Sequence, residues 1–196
     1  MQCHICDRSY GVFALGLFCP DCGSPNLTTH LIRERELIED DLREAERLIR
    51  RGEDEHAHRR IADTHENVVS IVEAFLKTFF AFVVRQREND VAATKTLKNV
   101  GNAFQNIDRA REKLAPFGID PFADLTPKDI AFLRIAMAKR HVVTHNLGLI
   151  DDRFVKQTGI GATGRVVDVS PTEVRRLLDE IVPVIDRCDE TIACVR

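Results

Sequence analysis

The stretch "LTPKDIAFLRIAMAKRHVVTHNLGLID", residues 125–151, carries both ends of one helix and the most reactive side chains of the chain. Thr126 can accept a hydrogen bond from an orphan backbone N–H. Pro127 fits the first helical position, where no donor is needed, and Asp129 is a short acidic form of the capping-box partner. Ile130, Leu133, Met137 and Val143 then supply an apolar face. Asn146–Gly148 is a pair at which a helix stops. His141 and His145, four residues apart, share one face of this helix near its C-terminus. Arg140 is adjacent in sequence, and its long arm can swing toward that face.

Working outward, the flanking segments also read as helices. "LIRERELIEDDLREAERLIRR" places Leu31, Ile38, Leu42, Ala45 and Ile49 on one stripe, with Glu39–Arg43 and Glu46–Arg50 as i,i+4 pairs on the charged side. Gly52 marks a break. A long helix over about 56–88 follows, and another is expected over about 91–115, ending at Pro116 and Gly118. "SPTE", Ser170–Glu173, is a full capping box that opens a last helix. Between the helices runs "DRFVKQTGIGATGRVVDVS", whose Gly-rich centre is expected to form a hairpin or mobile loop. This centre, 158–164, lacks the Lys-Ser/Thr of a phosphate-binding P-loop. The fold class expected is mainly α: a bundle of about five helices with one small β excursion.

The first 28 residues are of another kind. Cys3, Cys6, Cys19 and Cys22 form two Cys-x-x-Cys pairs separated by twelve residues. Each pair can hold two thiolates on one side of a tetrahedral ion. Tyr10–Phe18 reads as a short hairpin between them, with Gly16 as its turn and Gly11 and Gly23 behind the two pairs. The segment resembles the zinc-ribbon family over about residues 1–28. Four cysteines leave no position for water, so the expected cofactor is one structural Zn2+ per chain, bound as part of folding. His4 is read as exposed, not as a ligand. The expected organisation is a small β zinc ribbon at 1–28, a charged amphipathic connecting helix at 29–54 and a helical domain at 55–196.

Composition narrows the function. The net charge is −3 with a pI near 6.2, so no global basic field advertises nucleic acid, and any such site must be local. The most apolar run, Val68–Val84, carries Glu73 and Lys77 and reads as a buried core helix, so no membrane association is expected. Reduced, metal-binding cysteines fit a cytoplasmic chain. Cys188 and Cys194 lie about 9 Å apart along a helix and on different faces, so they cannot pair. His56, His58 and His65 sit among charges that solvent would cover, which does not favour a second metal site.

Arg140, His141 and His145 have no obvious Cys or Ser nucleophile beside them and no carboxylate at metal-ligand spacing. A histidine can give or take a proton, and an arginine can hold a phosphate. The matching chemistry is metal-independent cleavage of RNA, in which the 2′-OH is the nucleophile. "RHVVTH", Arg140–His145, resembles the R-x-x-x-x-H motif of the HEPN superfamily. The resemblance spans roughly 55–196, with its specific part at 140–158. It implies a helical bundle that dimerises, with a composite ribonuclease site in which Arg140 and His145 are the catalytic pair and His141 is an accessory polar residue. It also implies an RNA substrate, a homodimer and a role as a toxin or defence effector. The ribbon then becomes a possible docking point for a protein partner. Leu147 stands where a toxin subgroup has a modified tyrosine, so that mode of control is not expected. The competing readings are a non-catalytic RNA-binding or scaffold protein and a zinc-ribbon transcription factor. The acidic balance and the lack of a helix-turn-helix weigh against the latter.

Overall fold

The start signals at Thr126 work as read. In the computed structural model, which describes residues 1–11 and 15–195, the Thr126 hydroxyl accepts from the Asp129 N–H and Pro127 occupies the first turn. The resulting helix, α5, spans Pro127–His145. Before it come α1 (Leu27–Arg50), α2 (Asp54–Arg87), α3 (Asp90–Lys98) and α4 (Ile107–Leu114). After it come α6 (Asp152–Thr158) and α7 (Pro171–Val195), the latter capped by Ser170 as its capping box requires. No β-strand occurs among the described residues; only three isolated antiparallel bridges do. The chain is mainly helical. The expected hairpin at Tyr10–Phe18 runs through residues 12–14, which lie outside the described residues.

Two expectations change. The helix expected over 91–115 is broken into α3, a 3₁₀ turn at Ala103–Gln105 and α4, with a second turn at Ala115–Phe117. The cause is legible afterwards in "NVGNAFQN", 99–106. Gly101 takes φ +50°, and Asn106 leaves the helix to cap α4 by accepting from the Arg109 N–H. The segment after residue 151 opens with a helix that was not expected, α6, and the Gly-rich centre follows as turn and bend beside the antiparallel bridge Leu149–Val166. Asp151 caps α6 by accepting from Phe154 N–H, and left-handed Gly159 ends it.

The chain forms two compact units. The first comprises Met1–Arg35, Val72–Leu125 and Ile181–Arg196. Here the second half of α2 buries Val72, Phe75, Leu76, Phe79, Phe80, Val83 and Val84. That helix is long and apolar enough to cross a membrane, yet these side chains are covered by protein. Within it Lys77 pairs with Glu73 at 2.5 Å, and the Gln105 amide donates to Glu73 at 2.9 Å. Asp189 on α7 accepts from the Leu27 and Thr28 N–H groups, capping α1 from another part of the chain.

The second unit comprises Glu36–Ile71 and Thr126–Glu180. The apolar stripe of α1 is buried at Ile38, Leu42 and Ala45, while Ile49 is exposed. Its acidic side chains do not make the i,i+4 pairs expected of them. Glu39 and Glu46 both reach Arg175 of α7, at 3.1 and 2.6 Å. Arg43 pairs with Asp40 instead. One arginine between two carboxylates is a better-desolvated pairing than two exposed i,i+4 contacts, so the tertiary partner wins. Lys139 similarly joins Glu173 at 2.7 Å.

His65 on α2 is fully buried, and neither ring nitrogen has a hydrogen-bond partner among the described residues. Burial, helped by the charge of Lys139, pushes its pKa down from 6.5 to about 4. The unfolded chain binds this proton below pH 6.5 but the folded chain only below about 4. Stability is therefore full above pH 6.5 and falls as the pH drops toward 4, by roughly 3 kcal/mol at most. His65→Phe should flatten the dependence of the urea midpoint on pH between 7 and 4.5. Identical slopes for the two proteins would show that His65 does not set it.

Candidate functional site

Two sets of side chains are brought together, one in each unit. The first is the cysteine cluster. The Sγ atoms of Cys3, Cys6, Cys19 and Cys22 all lie within 4.8 Å of one another. Cys3–Cys22 and Cys6–Cys19 are each 3.9 Å apart. Four thiolates held 2.3 Å from a tetrahedral ion would be about 3.8 Å apart, so the donor set fits such an ion. Among the described residues, no other group of His, Cys, Asp and Glu is gathered for a metal.

The two halves of the cluster are copies of one turn. Cys3 N–H donates to Arg8 C=O and Cys19 N–H to Ser24 C=O, while Asp7 N–H and Gly23 N–H return to the carbonyls of Cys3 and Cys19. The residue after each pair is left-handed, Asp7 at φ +57° and Gly23 at +69°. The bridges Gln2–Ser9 and Phe18–Pro25 close the two turns in the same register. Gly23 therefore serves the turn expected of it, while the first turn uses Asp7, not Gly11. The Cys22 thiol is pulled down to about 6 by the Ser24 hydroxyl and backbone N–H, which favours the thiolate. Around the cluster, Tyr10 donates to Asn26 at 2.6 Å and the Gly16 N–H donates to His30 Nε2 at 3.1 Å. His4 is exposed and hydrogen-bonds Thr29; it is not one of the four donors.

The second set lies at the end of α5. The His141 and His145 rings meet at a tilt of 52° with centroids 4.9 Å apart. His145 is exposed and His141 half-buried, and neither ring makes a hydrogen bond to the described residues. Arg140 turns another way. Its guanidinium stands 3.8 Å from Glu66 on α2, beyond hydrogen-bond distance, and its Nε is buried without a partner. One residue along a helix is about 100° of rotation, which explains the divergence. The positive charge still reaches the pair. His141 is pushed below its usual value by burial first, then by Arg153, His145 and Arg140, with Asp151 opposing. His141 is thus a neutral imidazole at pH 7, able to accept a proton or a hydrogen bond.

Asp151 and Arg153 were not singled out by sequence, and Asn146 only as the stop of α5; all three belong to the same corner. The Asn146 amide donates to Asp151 at 2.9 Å, tying the end of α5 to the cap of α6. Ile150 and Phe154 pack on Ala138 and Val142 and fix the angle between the two helices. The available signal was "IDDRF", an Asp cap before an apolar pair. Further along, Gly161 lies so close to Ile150 that a Cβ would stand 2.6 Å from its Cδ1. The Gly-rich stretch is therefore a packing device in part. His56 and His58 are exposed on α2.

No protein-family model matches this chain, and comparison with curated proteins and with solved structures finds no match either.

Protein purified without chelator should contain one tightly held metal ion per chain, and Cys19→Ser should lose it. Elemental analysis of both proteins checks this, and a metal-free wild type would remove the site. A second expectation concerns Leu147, which follows the α5 cap at φ +51° and is 92% exposed. Leucine is strained in this region, by about 1–2 kcal/mol, and an exposed side chain recovers little of it. Leu147→Asn should raise the thermal midpoint by a few degrees; a lowered midpoint would show that the side chain contributes packing.

Proposed function

We propose that the chain is a metal-independent endoribonuclease of the HEPN type, acting as a homodimer, with a structural zinc ion in the cysteine cluster. The observation that carries the reading is the close, tilted His141–His145 pair at a helix end, without a hydrogen bond to the described residues and open on the His145 side. Histidines with no structural hydrogen bond to satisfy are available for proton transfer. The under-satisfied guanidinium of Arg140, one residue away, supports the same reading.

In this mechanism a histidine removes the proton of a ribose 2′-OH. The new 2′-O–P bond forms as the P–O5′ bond breaks, and a second protonated group supplies the proton to the leaving 5′-oxygen. Arg140 swings from Glu66 to the phosphate and offsets the charge that builds on it. His145 is the proton-transfer residue, and neutral His141 orients the strand. One copy holds few groups for two proton transfers and a phosphate clamp, whereas a two-fold axis doubles them. When bound, zinc holds the first 28 residues in shape through Cys3, Cys6, Cys19 and Cys22. The ribbon is then a surface for a protein partner, and a toxin or defence role follows from the HEPN resemblance.

A labelled RNA panel tests the reading. His145→Ala should lower cleavage about a hundredfold or more, Arg140→Ala by a comparable factor, and His141→Ala by less. Cleavage should continue in EDTA with zinc retained, leave 2′,3′-cyclic phosphate ends, and spare DNA, which has no 2′-OH. A wild type that cuts nothing, or a His145→Ala protein as fast as wild type, would leave the RNA-binding or scaffold reading in its place.

A further inference from the structure

The turn that follows α5 leaves large apolar side chains in solvent. Leu147 is 92% exposed and Val166 72%, and Leu149 beside Val166 is half-exposed. Leu147 and Val166 line a recess of about 520 Å³ whose apolar surface continues through Ala62, Val143, Val167 and Val169. The recess lies wholly within the second unit. Elsewhere on that unit Leu37 and Ile49 are exposed on α1, but they stand about 18 Å apart along the helix and form no patch. A leucine held at φ +51° with its side chain in solvent carries strain that nothing in one chain offsets. An apolar cluster of this kind marks a contact surface.

The charges of the recess are sorted onto its two walls. α2 contributes two bases, His58 and Arg59, and segment 166–169 contributes one acid, Asp168. Both Arg59 and Asp168 are exposed, and among the described residues neither the guanidinium nor the carboxylate has a hydrogen bond or ion pair. Lys139 reaches Asp168 only at its backbone carbonyl, at 2.6 Å, and gives its charge to Glu173 at 2.7 Å. Arg59 also borders a polar groove, where its neighbour Arg60 already takes Asp41 at 2.8 Å.

A two-fold axis through such a patch exchanges its walls. The α2 wall of one copy then faces the 166–169 wall of the other. Arg59 meets Asp168 of the partner subunit, the same pair forms a second time across the axis, and the apolar floors meet between them. A different partner would have to carry this arrangement of acid, apolar surface and base in mirror order, whereas a second copy already does. We infer that the recess is the contact surface of a homodimer, occupied by a second copy of this chain. The inference gives the proposed ribonuclease dimer its surface, and it rests on the dimeric part of that reading alone. Val143 and Leu147 stand two residues on either side of His145, so the contact brings the C-terminal ends of the two α5 helices together. The gain in thermal midpoint expected of Leu147→Asn then belongs to the dilute, monomeric chain, and lessens at concentrations where the dimer forms.

Sedimentation velocity of the full chain over a micromolar concentration series, at low salt and without RNA, tests the surface. Wild type should sediment as a dimer. Val166→Asp should raise the dimer dissociation constant about a hundredfold by placing a charge in the apolar floor. Its far-UV circular dichroism should be unchanged, because Val166 is exposed in the single chain. Arg59→Asp and Asp168→Arg should each raise the constant about tenfold, since each sets like charges opposite one another twice. Combining Arg59→Asp with Asp168→Arg should restore it to within about threefold of wild type, because the pair is then reversed but intact. If wild type is dimeric and Val166→Asp and both charge reversals leave it so, the dimer uses another surface and this inference fails alone. If each reversal weakens the dimer and their combination does not restore it, the two-fold pairing is overturned. A wild type that is monomeric throughout overturns the second copy as occupant, and the dimeric reading with it. A dimer that follows every expectation but cuts no RNA leaves this surface standing while the ribonuclease reading falls.

Discussion

The second unit depends on how the chain leaves α5. After His145 two residues in succession take positive φ, Leu147 at +51° and Gly148 at +82°, and the Gly148 N–H turns back onto the Val142 carbonyl at 3.0 Å. The reversal is sharp enough for Ile150 and Phe154 to return to Ala138 and Val142, about one to two turns back from the end of α5. Everything at the candidate site follows from that return. Asp151 meets Asn146 and α6 begins. Glycine accepts the left-handed region without cost and leucine does not, so the turn stores strain at the point where reactive groups gather. Strain of this kind persists only where the surrounding packing holds it.

In the first unit the organising constraint is the four-sulfur cluster. Two identical turns present their thiols to one point, and each is closed by the same backbone hydrogen bonds. The unit then uses its polar groups across long sequence separations. Asn26, which stands where an N-cap would for α1, is taken by the Tyr10 hydroxyl. The cap is supplied by Asp189, about 160 residues away. Burial raises the Asp189 pKa and the backbone N–H donors oppose it. An exposed carboxylate would need no such partners; a buried one does.

Charge is distributed with the same economy. Lys139, Arg175 and Arg176 are each held by carboxylates within their unit. Arg140 has only the 3.8 Å approach of Glu66, and the charge of Asp151 is the one that opposes the positive groups around His141. The two histidines at the end of α5 are left without a hydrogen bond among the described residues, which is where a titratable pair differs from the salt-bridged groups around it.

The helical class, the start of α5 at Thr126, its end near Asn146, the capping box at Ser170 and the four-cysteine set were all legible in the sequence. Each is a local matter, settled by residue types within a turn or by spacings of three and four. The shared face of His141 and His145 was legible for the same reason. What sequence alone did not give was anything decided by a partner distant along the chain. Glu39 and Glu46 had local arginines available, yet Arg175 of α7 took both because it lies between them in a more enclosed setting. The long helix over 91–115 is broken after Lys98, where Asn99 and left-handed Gly101 end one helix and Asn106 caps the next. Arg140 points to Glu66, not to the histidines, because helix rotation separates adjacent positions and only packing decides which neighbour lies on each side. The return of α6 onto α5 was invisible as well. It depends on Phe154 finding Val142, and that contact exists only once two left-handed residues have turned the chain back on itself.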